Sequence, residues 1–542
     1  MRVLGINAVF HDPAAALVVD GRIVAAAEEE RFSRRKHGKR PVPFSTWELP
    51  EQAARWCLAQ AGLEPGDLDA VGYSYDPDLV DHGLDGVDPG WEELRTTFAR
   101  RAPNFLKTAL PGLDPDTVRF VRHHVAHAAS SGLAAPFGDA AVLVADGRGE
   151  ATSYLAGEYR DGKLVELAAQ RLPHSLGLRY EDLTAHLGFA RSSDEYKVMA
   201  LASYGKPRFA GALGEAIAAD GAGGFRAAPV DFGAFAPRRE PGEDFRPEHA
   251  DLAASVQQRI EQVLLDLARW LREHTGQRRL TMAGGIALNC VANTRLLADG
   301  PFDELWVQPA AGDAGTALGA ALHLAAELGE PAARMTGADL GRGFTDAEIQ
   351  HALDVARLPY ERPDDLAATV AEALANDRIV AWFQGRAEFG PRALGHRSLL
   401  AHPGHRKNLE RLNDVKGREQ FRPVAPMVLA DRAGELFERG PIPSPYMLFV
   451  HDVRPEWRDR IPAVTHVDGT ARIQSVDRAT EPLVARMLAE FDARTGIPVV
   501  VNTSLNTAGR PMVDSPRDAL ECFGSSPVDL LAIGPFVLRR PA

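Results

Sequence analysis

Two stretches of this 542-residue chain decide its fold: RVLGINAVFHDPAAALVVDGRIVAAA at residues 2–27 and AVLVADGRGEATSYLAGEYRDGKLVELAAQR at residues 141–171. Each stretch reads as a strand, a loop, a second strand, an Asp-Gly turn and a third strand. This repetition predicts two related α/β lobes that face each other across a cleft, with the first loop of each lobe in the cleft. The pattern alone leaves open that two unrelated hairpins look alike.

Glycine-rich loops follow two further predicted strands. Apolar residues three and four apart predict a helix over residues 252–271, which leads to a strand over 280–283. Glycines 284–285 follow that strand, and the loop GDAG at 312–315 opens another helix. Such loops let a ligand approach the backbone and point helix N termini at phosphates.

The chain changes character near residue 340. A polar helix over 345–356 begins a second unit in which strands alternate with helices, one of them starting at Ser515-Pro516. We therefore expect an α/β protein with a two-lobed domain over residues 1–340 and a smaller α/β domain over residues 341–542.

The composition excludes several classes of protein. Hydrophobic residues make up 45% and charged residues 25%, which is the ordinary globular mixture, and the net charge of −13 argues against nucleic-acid or anionic lipid partners. Cys57, Cys290 and Cys522 are too far apart for a disulfide framework or a zinc motif. Neither a signal peptide nor a membrane span is apparent. These features predict a cytoplasmic protein with a small-molecule partner.

The histidines of RHHVAHA at 122–128 suggest a metal site. On a helix His123 and His127 share one face, whereas we expect His124 to point elsewhere. Asp146 and Asp313 could add oxygen ligands, and such a set suits Fe(II), Mn(II) or Zn(II). The alternative is that an isolated pair of histidines only caps or packs a helix.

Two other sets of residues suggest phosphate chemistry. Gly284 and Gly285, after a strand and before a helix, form a plausible nucleotide loop. Cations in the C-terminal part occur beside hydroxyl and amide groups, an arrangement that suits a dianionic phosphate; they are Arg386, Arg392, Lys416, Arg418, Arg422 and Arg472, with Asn502-Thr503-Ser504. A solvated basic face is the alternative. No nucleophile elbow, Walker A loop or Rossmann fingerprint is apparent.

Several motifs together resemble one family. They are VLGIN at 3–7, FHD at 10–12, AAAL at 14–17, AEEERFSRRKH at 27–37, HHVAHA at 123–128 and NTSLN at 502–506. In this order along nearly the whole chain they resemble the antibiotic and nodulation-factor O-carbamoyltransferases, such as the tobramycin-, cephalosporin- and novobiocin-type enzymes.

The resemblance implies a fold and a reaction. The N-terminal domain would be similar to the tRNA threonylcarbamoyl-transferases, with a duplicated actin/hexokinase-like fold, and the C-terminal domain to the YrdC-like partner that handles carbamoyl phosphate. Carbamoyl phosphate would be cleaved, carbamate would react with ATP to give carbamoyl adenylate, and the carbamoyl group would pass to a hydroxyl.

The resemblance also implies roles for individual residues. It makes His123, His127, Asp146 and Asp313 ligands of an Fe(II)-type divalent metal, and Gly284, Gly285 and Asn289 contacts of the nucleotide, which is ATP with Mg. His11 and Lys36 would lie near the reacting carbonyl, with His11 as the base for the acceptor hydroxyl. The carbamoyl phosphate pocket would consist of Arg392, Lys416, Arg418, Arg422, Arg472 and Ser504.

The resemblance leaves the acceptor open, although it favours a specialised metabolite such as an antibiotic sugar or macrocycle. It is compatible with a homodimer. Two alternatives remain: carbamoylation of a macromolecule, either tRNA or a hydrogenase-maturation protein, and a nucleotide-binding regulator without catalytic activity.

Overall fold

The computed structural model describes residues 1–38, 48–81, 83, 89–331 and 334–540. The chain divides into two compact units, Met1–Gly337 and Ala338–Ala542. Among the described helices, none combines the length and apolar composition that crossing a membrane requires.

The first unit contains twelve strands and ten helices within the described residues. The strands are β1 (Arg2–Asn7), β2 (Ala14–Val19), β3 (Arg22–Glu28), β4 (Ala70–Tyr73), β5 (Val118–Phe120), β6 (Ala140–Ala145), β7 (Thr152–Arg160), β8 (Lys163–Arg171), β9 (Ile217–Ala219), β10 (Phe225–Ala227), β11 (Arg279–Ala283) and β12 (Glu304–Val307). The helices are α1 (Glu30–Ser33), α2 (Glu51–Gln60), α3 (Pro89–Ala109), α4 (His123–Gly132), α5 (Leu176–His186), α6 (Glu195–Ala202), α7 (Ala210–Leu213), α8 (Pro247–Thr275), α9 (Cys290–Asp299) and α10 (Ala314–Glu327).

Two five-stranded sheets of the first unit repeat one topology. Their orders are β3-β2-β1-β4-β5 and β8-β7-β6-β11-β12. In each sheet the first three strands are antiparallel neighbours, and two further strands add in parallel on the other side. Order and direction agree strand by strand, so the unit is a structural duplication, as the repeated hairpin pattern predicts.

Helices α4 and α10 pack against each other between the two sheets. Although α4 follows β5 of the first sheet, it packs on β6, β7 and β11 of the second, and α10, which follows β12, packs on β1, β2 and β4 of the first. Glycines permit the close approach: a Cβ on Gly5 would lie 1.8 Å from the carbonyl oxygen of Ala317, and one on Gly319 would lie 1.7 Å from that of Ala126. The crossing brings the N termini of α4 and α10 together.

The second unit contains ten strands and seven helices within the described residues. The strands are β13 (Val380–Phe383), β14 (Arg397–Ala401), β15 (Ala425–Leu429), β16 (Phe437–Glu438), β17 (His451–Val453), β18 (Thr470–Ala471), β19 (Gln474–Val476), β20 (Val499–Ser504), β21 (Leu530–Ile533) and β22 (Phe536–Arg539). The helices are α11 (Asp346–Ala356), α12 (Leu366–Ala375), α13 (Lys407–Val415), α14 (Ala433–Leu436), α15 (Pro455–Arg458), α16 (Pro482–Thr495) and α17 (Pro516–Ser525).

A mixed seven-stranded sheet, in the order β19-β15-β20-β14-β13-β21-β22, forms the centre of the second unit. Successive residues of β13 enter different cores: Val380 and Trp382 pack in the core that includes residues of α12 and α16, whereas Ala381 and Phe383 pack in the one that includes residues of α11 and α17. Both faces of the sheet are therefore covered, and ligand-binding side chains are left to its edges and loops.

Candidate functional site

Four buried side chains meet at the N termini of α4 and α10. His123 and His127 come from α4, Asp146 follows β6, and Asp313 precedes α10; one ligand atom of each lies within 4.8 Å of the others. Nε2 of His123 lies 3.4 Å from Oδ2 of Asp146 and 3.6 Å from Oδ1 of Asp313. Nε2 of His127 lies 3.8 Å and 3.6 Å from the same two oxygens. The two histidines, four residues apart on α4, thus meet the two aspartates at the end of β6 and the start of α10.

Hydrogen bonds fix the orientation of His123. Its Nδ1 donates to the carbonyl oxygen of Ser74 at 3.2 Å, because a carbonyl can only accept, and this leaves Nε2 directed at the carboxylates. The Ser74 hydroxyl in turn lies 2.8 Å from that of Thr316 on α10. One oxygen of Glu150 accepts from the backbone N–H groups of His123 and Asp76, at 2.8 and 2.9 Å. The first turn of α4 is therefore held from both lobes.

The charges of the four groups are set by burial and by one another. Burial alone would raise the pKa of Asp146 and of Asp313, but the neighbouring histidines hold both carboxyl pKa values below their usual range. Burial opposes the charged form of His123, yet the proximity of its ring to both carboxylates raises its pKa well above the ordinary value. Burial lowers the pKa of His127. Two ionised carboxylates thus face two imidazoles in a buried environment.

This donor set fits a divalent transition metal. Nε2 of His123, Nε2 of His127 and Oδ2 of Asp313 are buried and have no hydrogen-bond partner in the part of the chain that the structure describes. Buried polar atoms without partners are rare and costly, and a cation would satisfy all three. Two imidazoles and two carboxylates are ligands of Fe(II), Mn(II) and Zn(II).

His124 is not one of the four clustered residues, as helical spacing predicts, but it lies close to Asp146. Its Nε2 lies 3.7 Å from Oδ2 of Asp146, and its Nδ1 is 2.7 Å from the hydroxyl of Thr152. The reason is that the segment joining β6 to β7 covers the start of α4: Gly149 in this segment lies against both His123 and His124. Asp146 therefore reaches two faces of the helix.

His11 lies beside the four-ligand cluster, since its Nε2 is 3.7 Å from Oδ2 of Asp313. The ring of the preceding residue, Phe10, contacts the His123 ring edge-to-face at 5.2 Å. Lys36 lies in a short helical turn, Lys36–Gly38, and is half-buried. The structure joins this turn to His11 through Asp12, which pairs with both His11 and His37.

The predicted nucleotide loop adjoins the same cluster. Gly284 has φ of +94°, and a Cβ there would lie 2.3 Å from the carbonyl oxygen of Ala145. The backbone N–H of Gly285 donates to Oδ1 of Asp146 at 2.9 Å. Asn289 is engaged elsewhere: it caps α9 and pairs its amide with that of Gln257. A contact of Asn289 with the nucleotide stays a prediction.

In the second unit, the predicted phosphate-binding residues lie at one edge of the seven-stranded sheet. β20 is antiparallel to β14 and β15, and β15 is parallel to β19, so the end of β20 meets the starts of the other three strands. Ser504 ends β20, and the residues that shortly precede β14, β15 and β19 are Arg392, Arg422 and Arg472.

Lys416 and Arg418 reach the same edge from the end of α13. The Lys416 ammonium donates to the carbonyl and hydroxyl oxygens of Ser504, at 2.6 and 2.8 Å, and to the side-chain oxygen of Asn506. Asn413 accepts from the Arg418 guanidinium and donates to the carbonyl of Arg422 at 3.1 Å. The structure therefore gathers the six predicted residues at one edge.

Sequence reasoning missed several residues that support these sites. Asn506 lies within the NTSLN motif, so its hydrogen bond with Lys416 could have been suspected. Ser74, Glu150 and Asn413 carry no comparable signal, because each is brought to its partner by the fold rather than by sequence spacing.

Two family models and several known proteins match this chain over most of its length. The family described as Carbamoyltransferase N-terminus matches residues 2–113 and 107–322, and Carbamoyltransferase C-terminus matches residues 371–540. The "Uncharacterized protein sll1178" of Synechocystis sp. is 38% identical over 617 residues, which cover 100% of this chain and 97% of that protein. The "Nodulation protein NolNO" of Sinorhizobium fredii is 38% identical over 563 residues, covering 98% of this chain and 80% of that protein.

A solved hexokinase structure is a remote match. A ROK hexokinase from Thermus thermophilus aligns with 59% of this chain and 98% of its own, at 17% identity and a TM-score of 0.31. This likeness does not bear on the reaction.

Proposed function

Because the chain belongs to the carbamoyltransferase family, we propose that this transferase is an ATP-dependent O-carbamoyltransferase acting on a small-molecule hydroxyl. Water cleaves carbamoyl phosphate to carbamate and phosphate. Carbamate reacts with ATP to give carbamoyl adenylate and pyrophosphate, and the acceptor hydroxyl takes the carbamoyl group and releases AMP. We assign the transfer to residues 1–340 and the handling of carbamoyl phosphate to residues 341–542.

The observation that carries the proposal is the buried set of two histidines and two aspartates. His123, His127, Asp146 and Asp313 would hold a divalent cation, Fe(II) or a similar ion. When bound, such an ion supplies Lewis-acid polarisation of a carbonyl oxygen. The Ser74 carbonyl, which accepts from Nδ1 of His123, keeps the other ring nitrogen available as a ligand.

His11 is the proposed base for the acceptor hydroxyl. Its Nε2 lies beside the ligand set, 3.7 Å from Oδ2 of Asp313. His11 itself belongs to the loop between β1 and β2 of the first sheet. Imidazole suits this role because it exchanges protons near neutral pH. Lys36 would neutralise the negative charge that develops on the reacting carbonyl or on the leaving phosphate.

The nucleotide would bind at the loop of Gly284 and Gly285. Gly285 is exposed, whereas Gly284 is buried against Ala145. Gly285 is also tied to Asp146, so a nucleotide on this loop would have its phosphate close to the ligand set. Mg would accompany ATP as it reacts with carbamate.

Carbamoyl phosphate would bind at the described edge of the seven-stranded sheet. Lys416 offers a point charge and the arginines offer paired N–H donors to a dianionic phosphate. The remaining members of the set are Arg392, Arg418, Arg422, Arg472 and Ser504. The contacts of Lys416 with Ser504 and Asn506 hold its ammonium in place before the ligand arrives.

The acceptor in this proposal is a hydroxyl of a specialised metabolite, such as an antibiotic sugar or macrocycle. One matched protein is a nodulation protein by name, which is compatible with an acceptor outside primary metabolism. The net charge of −13 disfavours tRNA.

The test is mass spectrometry of the products formed from carbamoyl phosphate and ATP without an acceptor. Protein reconstituted with Fe(II) is compared with protein treated with a chelator. Carbamoyl adenylate and pyrophosphate in the first sample alone would support the proposal. ATP binding without either product would count against it and favour a regulator.

A further inference from the structure

Asp12, on the loop after β1, holds two imidazoles with one carboxylate. Its Oδ2 accepts from Nδ1 of His11 at 2.9 Å, and its Oδ1 accepts from Nδ1 of His37 at 2.7 Å. Each oxygen thus serves a different ring. Asp12 is half-buried, and partial loss of solvent opposes its ionised form, yet its pKa lies well below the usual range because both histidines favour that form.

The backbone around this carboxylate is held in an uncommon conformation. Asp12 and His37 have φ of +50° and +60°, which lies in the left-handed region that residues other than glycine seldom adopt. The Asn7 side chain donates to the carbonyls of both His11 and Asp12, at 2.9 Å each. The backbone N–H of Asp12 donates to the His37 carbonyl, and that of His37 donates to Glu30.

Residues other than glycine that are held at positive φ by several hydrogen bonds are typical of functional sites. A turn that needed only to reverse the chain could use glycine at these two positions. Here the two strained residues are the ones that bring both Nδ1 atoms to the Asp12 carboxylate.

We propose that Asp12 is a positioning residue: it keeps the proton of His11 on Nδ1 and directs Nε2 at the reacting centre. This inference rests on the proposed function, in which His11 accepts the proton of the acceptor hydroxyl. A carboxylate cannot donate, so this bond places a proton on Nδ1, and in the neutral ring Nε2 then carries the lone pair. His37 occupies the second oxygen and prevents the carboxylate from rotating away.

The transfer step that Asp12 assists needs no further reactant. The hydroxyl oxygen forms a bond to the carbamoyl carbon while its proton passes to Nε2 of His11. The bond from that carbon to the phosphate oxygen breaks, and AMP leaves with the electron pair. Water can replace the acceptor in this step, and the products are then carbamate and AMP.

The first experiment is a double-mutant cycle on the release of AMP from carbamoyl adenylate, with water as the probe. Asp12→Asn alone is expected to slow release by about 100-fold, the usual scale of general-base catalysis. His11→Asn is expected to slow release at least as much, and the double variant no further than His11→Asn. Losses that multiply in the double variant would overturn the proposal, since Asp12 would then act independently of His11.

Asp161→Asn is the matched control. Asp161 is exposed and also has positive φ, +49°, in the Asp-Gly turn between β7 and β8. Because it has the same backbone conformation and is distant in the sequence from the ligands, Asp161→Asn is expected to release AMP at the wild-type rate. A wild-type rate for Asp12→Asn as well would overturn the proposal.

A second measurement needs neither turnover nor an Asp12 variant. In wild-type protein labelled with ¹⁵N-histidine, the His11 signals are assigned by their absence from His11→Asn. We expect the proton on Nδ1 of His11, and a neutral ring with its proton on Nε2 would overturn the inference. Wild-type protein that forms no carbamoyl adenylate would instead contradict the proposed function, and the tautomer would then decide the inference alone.

Discussion

Replacing Gly319 with alanine tests the crossing of α4 and α10 on which the ligand set depends. The added Cβ would lie 1.7 Å from the carbonyl oxygen of Ala126 and 2.9 Å from the backbone nitrogen of Ser130. Both neighbours are main-chain atoms of α4, so no side chain can rotate to make room. The two helices must separate.

The size of the effect follows from these distances. Non-bonded heavy atoms settle at about 3.5–4 Å, so α10 must withdraw by roughly 2 Å. Overpacking of a core costs about 1–3 kcal/mol, from which the gain of about 1 kcal/mol for alanine over glycine in a helix is subtracted. Because the obstacle is backbone, we expect the upper end, a net fall in the free energy of unfolding of about 2 kcal/mol.

Metal affinity should be affected more severely than stability. Asp313 moves with α10 whereas His123 and His127 stay on α4, and ligand distances tolerate deviations of only about 0.2 Å. The assays are urea unfolding and titration with Co(II) followed by visible absorption. Gly211→Ala is the control, since Gly211 is exposed in α7 and a Cβ there would have no neighbour within 4 Å among the described residues. If Gly319→Ala unfolded at the wild-type midpoint and bound Co(II) normally, the reasoning would be refuted.

Three further predictions concern the proposed reaction and the effect of pH on stability. His123→Ala should abolish formation of the carbamoylated product while phosphate release from carbamoyl phosphate persists; equal loss of both activities would contradict the assignment of the two steps. Lys416→Ala should abolish phosphate release, whereas Lys407→Ala, which removes an exposed ion pair with Asp377, should not; full turnover in Lys416→Ala would refute the pocket. Burial raises the pKa of Glu29 to about 7 from 4.5, so the folded state binds more protons than the unfolded state between these values and stability falls as pH rises through them. The stability of wild type should therefore fall by up to about 3 kcal/mol from pH 4.5 to above pH 7 relative to that of Glu29→Gln, as measured by urea unfolding of both proteins at both pH values.

The fold could be predicted where the sequence carries strong local signals. The three strands predicted within residues 2–27 are present as β1, β2 and β3, because an Asp-Gly turn and apolar runs delimit them. β4 and β5 were not predictable, since they have four and three residues and exist through pairing with β1 and with each other. Such short strands have too few residues to show a period.

The candidate site could be predicted in part for a similar reason. The helical spacing of His123 and His127 is a local signal, whereas the approach of Asp146 and Asp313 depends on how two sheets hold two helices. The proximity of His124 to Asp146 could not be read from helical spacing, because it depends on the segment after β6, which carries Asp146 to it. The role of Asp12 required the fold, which brings His37 back to it.

The exchange of α4 and α10 between the two sheets also governs how the first unit can fold during synthesis. The first sheet lacks its inner helix until α10, at the end of the unit, is present, whereas α4 directly precedes the second sheet in the sequence; the hydrogen bond between Ser74 and Thr316 joins residues 242 positions apart. The ribosome must therefore release α10 before the first half can complete its core, and contacts so distant in sequence form slowly. A fragment that ends before α10 leaves the inner face of the first sheet uncovered, so the duplication, although visible in the topology, no longer divides into two independent proteins.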